Sequence, residues 1–250
     1  MNGKENTRKS RLNVKRASGV IFAFLLVIAV LGSLTAYYWG VFGYAHPLNE
    51  AKKGDVKVAC VGDSITFGTL VFGWPYASYP ATLDKMLGDG YTVNNYGYPG
   101  RCAYSDADRP YVREELYFKA LEFDAEIVII MLGSNDSKAA NWKGEDAFIA
   151  DYSEIIESFL NRPAIKELYI MAPPPAWEFL GKVRYNINND RVKNEINAAA
   201  RTLAEKYDAG FIDLYEVFDG KSNLFDDGVH PNAKGAKLLA ETVYSAIRRK

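Results

Sequence analysis

The chain has 250 residues, 48% of them hydrophobic, and its 30 basic side chains nearly balance 31 acidic ones for a formal net charge of −1. That is enough apolar material for one domain with a full core. The near-neutral balance gives no reason to expect nucleic acid as a partner, and none is expected.

Charge is unevenly placed at the start. Lys4, Arg8, Lys9, Arg11, Lys15 and Arg16 stand against a single Glu5, and then no charged residue occurs from Ala17 to Asn49, counting His46 as neutral. The run from Gly19 to Leu31 is apolar throughout and continues through Leu34 to Tyr37, Tyr38 and Trp39. About 20 apolar residues cross the hydrocarbon core; an aromatic end suits the interface, and a basic flank marks a cytoplasmic N-terminus. The sequence therefore predicts a basic cytoplasmic segment over 1–18, a transmembrane signal anchor over 19–41 and a spacer over 42–54. A cleaved signal peptide is the alternative, with Ser33 and Ala36 as small residues. Either reading puts residues 55–250 outside the cytosol, held to the membrane in the first case and secreted in the second.

Beyond the spacer, strand-like and helix-like segments alternate. Val56–Val61 is a β-rich run stopped by Gly62, and Tyr79–Leu87 reads as a helix with Pro80 in its first turn. Tyr91–Tyr96 alternates in the manner of a strand, and a helix is expected from about Val112 to Phe123. Glu126–Leu132 is the most apolar strand and suits the centre of a parallel sheet. Helix Asp146–Leu160, strand Leu168–Ala172, a stiff loop at Pro173-Pro174-Pro175, helix Asp190–Lys206, strand Gly210–Leu214 and helix Ala233–Arg248 complete the series. This βα repetition implies a three-layer α/β/α, flavodoxin-like sandwich around a five-stranded parallel sheet, preceded by the N-terminal transmembrane helix.

Ligands of such sheets sit beyond the carboxyl ends of the strands. Polar clusters fall there after the first three strands: Gly62-Asp63-Ser64-Ile65-Thr66, Tyr98-Pro99-Gly100 and Gly133-Ser134-Asn135-Asp136. A fourth, Asp227-Gly228-Val229-His230-Pro231, lies between the fifth strand and the closing helix. Ser64 is the nucleophile candidate, since a serine hydroxyl attacks only when a neighbouring base takes its proton; taken alone it could equally cap the following turn. His230 is the candidate base, one of only two histidines in the chain, and Pro231 biases it to an extended conformation. Asp227 can hold the imidazole in the required tautomer. The backbone N–H groups of Ser64 and Gly100 and the side-chain amide of Asn135 are candidate oxyanion donors, although Gly100 and Asn135 also suit simple turns.

These four blocks, in this order, resemble those of the SGNH (GDSL-type) esterases and lipases over roughly residues 55–248, with Ile65 where many members have leucine. The resemblance implies the flavodoxin-like fold, a Ser64–His230–Asp227 triad and an oxyanion hole of Ser64, Gly100 and Asn135. Asn141-Trp142, the proline-rich loop before Trp177 and the closing Leu224–Asn232 stretch are most similar to carbohydrate O-acetylesterase-like members. Trp142 and Trp177, with Trp74, can then stack on a sugar, or else cover loop-side core.

The expected function is a serine esterase acting through an acyl-enzyme on small acyl esters, O-acetyl in particular, of a small molecule or polysaccharide. A lysophospholipase or thioesterase, or a silent glycan-binding domain, are the alternatives. No metal cluster or glycine-rich phosphate loop is evident, so no cofactor is expected. Cys60 and Cys102 could form one disulfide or remain two thiols.

Overall fold

The computed structural model describes residues 19, 21–34, 48–74 and 76–248. The chain divides into two units, Met1–Tyr44 and Ala45–Lys250. In the first, residues 21–34 are helical and exposed. Among the described residues no helix is long and apolar enough to cross a membrane. Of the expected anchor over 19–41, residues 20 and 35–41 lie outside the described residues, as do the basic segment 1–18 and the first part of the spacer.

In the second unit the sheet forms from strands β1 (Val56–Gly62), β2 (Tyr91–Gly97), β3 (Ile127–Met131), β4 (Glu167–Ala172) and β5 (Gly210–Asp213). They are all parallel, in the order β2-β1-β3-β4-β5, the doubly wound order of the flavodoxin type. The central strand β3 is wholly buried, as expected of a run apolar on both faces.

Among the described residues of this unit, seven helices accompany the sheet: α1 (Ser64–Phe67), α2 (Tyr79–Leu87), α3 (Glu115–Glu122), α4 (Glu145–Leu160), a three-part α5 (189–206), α6 (Leu214–Val217) and α7 (Ala233–Arg248). Strand alternation sends Ala59, Val61, Val128, Ile130 and Ile170 to one core with α3, α4 and α5. It sends Val58, Cys60, Ile129, Met131 and Met171 to a second core with α2 and α7. Two cores on one sheet make three layers.

The helix expected over Val112–Phe123 starts later. Tyr111–Arg113 form a 3₁₀ turn, and extended Glu114 separates it from α3. The helix expected over Asp190–Lys206 begins at Asn189 and holds a π-turn over Val192–Ile196. The fifth strand stops at Asp213 because its carboxylate turns to accept the N–H of Glu216 and caps α6. A short hairpin, Glu178–Phe179 against Lys182–Val183, was not legible in the periodicity.

The glycine at the end of β2 decides where the first cluster sits. A Cβ on Gly97 would fall 2.2 Å from the backbone nitrogen of Phe67, so only glycine lets α1 lie this close to the strand ends. Tyr98 N–H then bonds to the carbonyl of Gly62 at 2.9 Å, holding the loops after β1 and β2 side by side.

Candidate active site

Asp63, Ser64 and α1 follow directly from β1. The cap of α1 is Asp63, whose Oδ1 accepts the N–H of Ile65 at 2.9 Å. Capping by the residue before the serine leaves the Ser64 hydroxyl free to face another partner. That partner is His230: its Nε2 lies 2.9 Å from Ser64 Oγ.

The other ring nitrogen of His230, Nδ1, lies 2.8 Å from Asp227 Oδ2. Asp227 Oδ1 accepts the backbone N–H groups of Val229 at 2.9 Å and His230 at 2.7 Å. The carboxylate thus folds the Asp227–His230 turn around itself. Burial alone would raise the Asp227 pKa, but the hydrogen bonds and charge of His230 and the two backbone N–H groups outweigh it and hold the carboxyl well below the usual range. An acid bound this way stays ionised and can orient an imidazole whose second nitrogen is aimed at a hydroxyl.

Gly228 permits the turn. Its φ is +84°, and a Cβ there would fall 2.3 Å from the carbonyl oxygen of Trp177. Trp177 N–H donates to the carbonyl of Gly228 at 2.7 Å, so the proline-rich loop after β4 packs against the Asp227–His230 segment.

Asn135 follows β3 and reaches across to the first loop. Its Nδ2 donates to Asp63 Oδ2 at 3.1 Å and to the carbonyl of Arg101 at 3.2 Å. An amide nitrogen has two hydrogens, so both have protein acceptors here; the one on the Arg101 carbonyl faces the neutral acceptor and is the more exchangeable. Gly100 adopts φ +82° in the turn before Arg101. Arg101 stiffens that turn: Nε and Nη2 reach Glu114 Oε1 at 2.9 and 2.7 Å, Nη1 donates to the carbonyl of Pro99 at 2.7 Å, and the guanidinium lies 3.9 Å from the Tyr98 ring centroid. The structure therefore brings Ser64, His230 and Asp227 into one hydrogen-bonded line, with Asn135 joined to it through Asp63. Gly100 is joined through the residue that follows it.

Several participants were missed by sequence reasoning. Asp63 links the cap of α1 to Asn135. Asn141 Nδ2 donates to the carbonyl of Asn135 at 3.1 Å and to Asp108 Oδ1 at 2.9 Å, fixing the loop after β3. Tyr185 donates from its hydroxyl to Asp227 Oδ2 at 2.9 Å. Only Asp63 carried a local signal, as an Asp two residues before an amide it can cap.

Of the tryptophans, Trp177 lines a groove of about 570 Å³ together with Ala139, Glu178, Val183 and Asn186. Trp142 is half-buried, lies within the Tyr104–Phe148 aromatic cluster and takes the Arg191 guanidinium 5.1 Å over its ring. Trp74 stacks on Phe67 at 5.0 Å and donates to its carbonyl. Cys60 and Cys102 are free, buried thiols, and burial pushes the Cys60 thiol up to about 12.

Two buried carboxyls behind the site titrate high. Burial raises Asp63 to about 6, against hydrogen bonds from Ile65 and Asn135 and the charge of His230. Burial raises Asp136 to about 7, against backbone N–H groups including that of Tyr104, with Asp63 adding repulsion. A native pKa above the unfolded value means the native state holds more protons between about pH 4 and pH 7, so both groups lower stability as pH rises through that window. Asp136→Asn keeps an oxygen for the Tyr104 N–H, 3.0 Å away. It is expected to flatten the fall in the thermal midpoint from pH 5 to 8, recovering on the order of 1 to 3 kcal/mol at pH 8. Thermal unfolding of both proteins across that range checks this; parallel curves would refute it.

The model of the GDSL-like Lipase/Acylhydrolase family matches residues 60–238. Over 216 residues the chain is 35% identical to an acetylxylan esterase of Xylanibacter ruminicola, covering 79% of this chain and 44% of the relative. The chain thus spans less than half the length of that relative. It is 25% identical over 199 residues to a GDSL lipase of Mycobacterium tuberculosis, covering 76% of this chain and 80% of the other. Among solved structures, a carbohydrate acetylesterase from Sinorhizobium meliloti superposes with a TM-score of 0.62 at 20% identity, covering 77% of this chain and 98% of that one. At that identity the likeness is one of fold.

Proposed function

The chain belongs to the GDSL-like lipase and acylhydrolase family, and from that premise we propose that it is a serine esterase removing small acyl groups, acetyl above all, from carbohydrate. The observation that carries the reading is the line of two short contacts, Ser64 Oγ to His230 Nε2 at 2.9 Å and His230 Nδ1 to Asp227 Oδ2 at 2.8 Å.

In the proposed reaction His230 takes the Ser64 proton as the oxygen attacks the ester carbonyl. Asp227 holds the ring and balances the imidazolium that forms. Negative charge on the carbonyl oxygen is met by the N–H groups of Ser64 and Gly100 and by the Asn135 amide, which exchanges the Arg101 carbonyl for the developing oxyanion. The imidazolium then protonates the leaving sugar hydroxyl, and an acyl-Ser64 remains. Water, deprotonated by the same imidazole, attacks the acyl carbonyl; the bond to Ser64 Oγ breaks, the imidazolium returns its proton to Oγ, and the acid leaves.

The acetyl and carbohydrate assignment is supported by the 35% identity to an acetylxylan esterase. We place the enzyme outside the cytosol, held by the segment at 19–41 or secreted after its removal. The uncharged run behind a basic flank supports that placement.

The test is acid release from acetylated xylo-oligosaccharides and from p-nitrophenyl esters of increasing chain length. The expected outcome is acetate release from the sugar and a rate that falls steeply beyond short acyl chains. A preference for long acyl chains or lysophospholipid would replace this reading with a lipase one.

A further inference from the structure

Tyr185 sits in the segment between the short hairpin and α5, 42 residues from Asp227, and its placement is unusual in three ways. Its backbone is left-handed, with φ 57° and ψ 19°, and Asn186 follows at φ 58°. A bulky non-glycine residue adopts that conformation only where its surroundings hold it there. The residue is 45% exposed, so the core gains little from its ring. Yet the ring stands edge-on to His230 with centroids 5.2 Å apart, and the hydroxyl donates to Asp227 Oδ2 at 2.9 Å.

We propose that Tyr185 is a positioning residue for the Asp227–His230 pair, setting both where the carboxylate lies and how strongly it holds the imidazole proton. The inference rests on the triad reading above. A carboxylate offers about four lone-pair positions, and Asp227 fills four: two backbone N–H groups on Oδ1, and His230 Nδ1 with the Tyr185 hydroxyl on Oδ2. The local turn fixes Oδ1. Oδ2, the oxygen that faces the imidazole, is held by His230 itself and, from a distant part of the chain, by Tyr185.

Sharing Oδ2 has a second effect. Each donor draws charge from the oxygen, so the tyrosine weakens the pull of Asp227 on the Nδ1 proton. Without it the imidazolium is favoured, and more acid has to be removed before the base is available. Among the described residues, buried Asp63 interacts with the charge of His230, and the Arg184 guanidinium lies 5.2 Å over the Tyr185 ring. Tyr185→Phe leaves all of these and the ring in place.

The experiment is the pH–rate profile of Tyr185→Phe with p-nitrophenyl acetate, together with the NMR signal of the Nδ1 proton. The expected result is kcat lowered about 5-fold with little change in KM, an acid limb displaced upward by a few tenths of a pH unit, and a proton resonance moved downfield. Tyr185→Leu, which also removes the ring, is expected to lose more rate with the same displacement of the limb. An unmoved limb and resonance would overturn the proposal, whether or not the rate falls, since a packing role alone moves neither. Ser64→Ala in the same assay separates the two readings. If it keeps turnover, the triad fails and this role with it; if it is dead while Tyr185→Phe matches wild type, only the role of Tyr185 fails.

Discussion

Ser64→Ala and His230→Ala should each lower kcat on p-nitrophenyl acetate by at least about 10⁴-fold, and the double variant should be scarcely worse than either. The reason is that the two groups act as a unit. Without the hydroxyl there is nothing for the imidazole to deprotonate, and without the imidazole the hydroxyl is a poor nucleophile at neutral pH. Residual turnover would come from oxyanion donors and bound water. Ser64 is only half-buried and packs in neither core, so Ser64→Ala should leave circular dichroism and the thermal midpoint nearly unchanged, whereas His230→Ala also strips the buried Asp227 carboxylate of a partner and should lower the midpoint. Burst kinetics supply the second check: wild type should show rapid release of p-nitrophenol equal to the enzyme present if acyl-Ser64 accumulates, and Ser64→Ala should show none. A Ser64→Ala protein that keeps more than a few per cent of wild-type turnover would refute the assignment.

The second large effect is expected at Asn135. Removing one oxyanion donor costs on the order of 10²- to 10³-fold in kcat elsewhere, and Asn135→Ala should fall in that range with KM within a few-fold. The side chain also gives Asp63 a hydrogen bond at 3.1 Å, and Asp63 caps the helix that carries Ser64. Its loss therefore strips a donor from a buried carboxyl that burial already raises to about 6. The variant should be less stable above about pH 6 than below it, relative to wild type, because the unpaired carboxyl is tolerated when protonated. A kcat within 5-fold of wild type would remove Asn135 from the oxyanion hole, leaving the N–H groups of Ser64 and Gly100.

How much of this could be read in advance differs from element to element. The limits of α2 and α7 were legible because proline in the first turn and a clean apolar stripe mark them. The five strands were legible because buried parallel strands are short, apolar and β-branched. The breaks in α5 were not, since a π-turn leaves the 3.6-residue stripe nearly intact while adding one residue. Asp227 and His230 were legible as a pair because three residues and a following proline bring them together locally. Their link to Ser64 spans 166 residues and could be inferred only from the βα topology and the resemblance of the four blocks. Arg101 and Tyr185 carried no signal at all. One depends on a guanidinium stacking across its own turn, the other on a tyrosine in a backbone conformation that no sequence rule assigns to it.

The acid and the base hang on one short turn, tied by two backbone hydrogen bonds to a single oxygen. That half of the machinery is local apart from the Tyr185 hydroxyl and the Trp177 backbone that brace it. The alcohol is delivered from the end of β1, 166 residues earlier in the chain, so meeting it closes a loop that runs through most of the fold. Turnover therefore requires both ends of that loop to be docked, which a measure of helix content does not report.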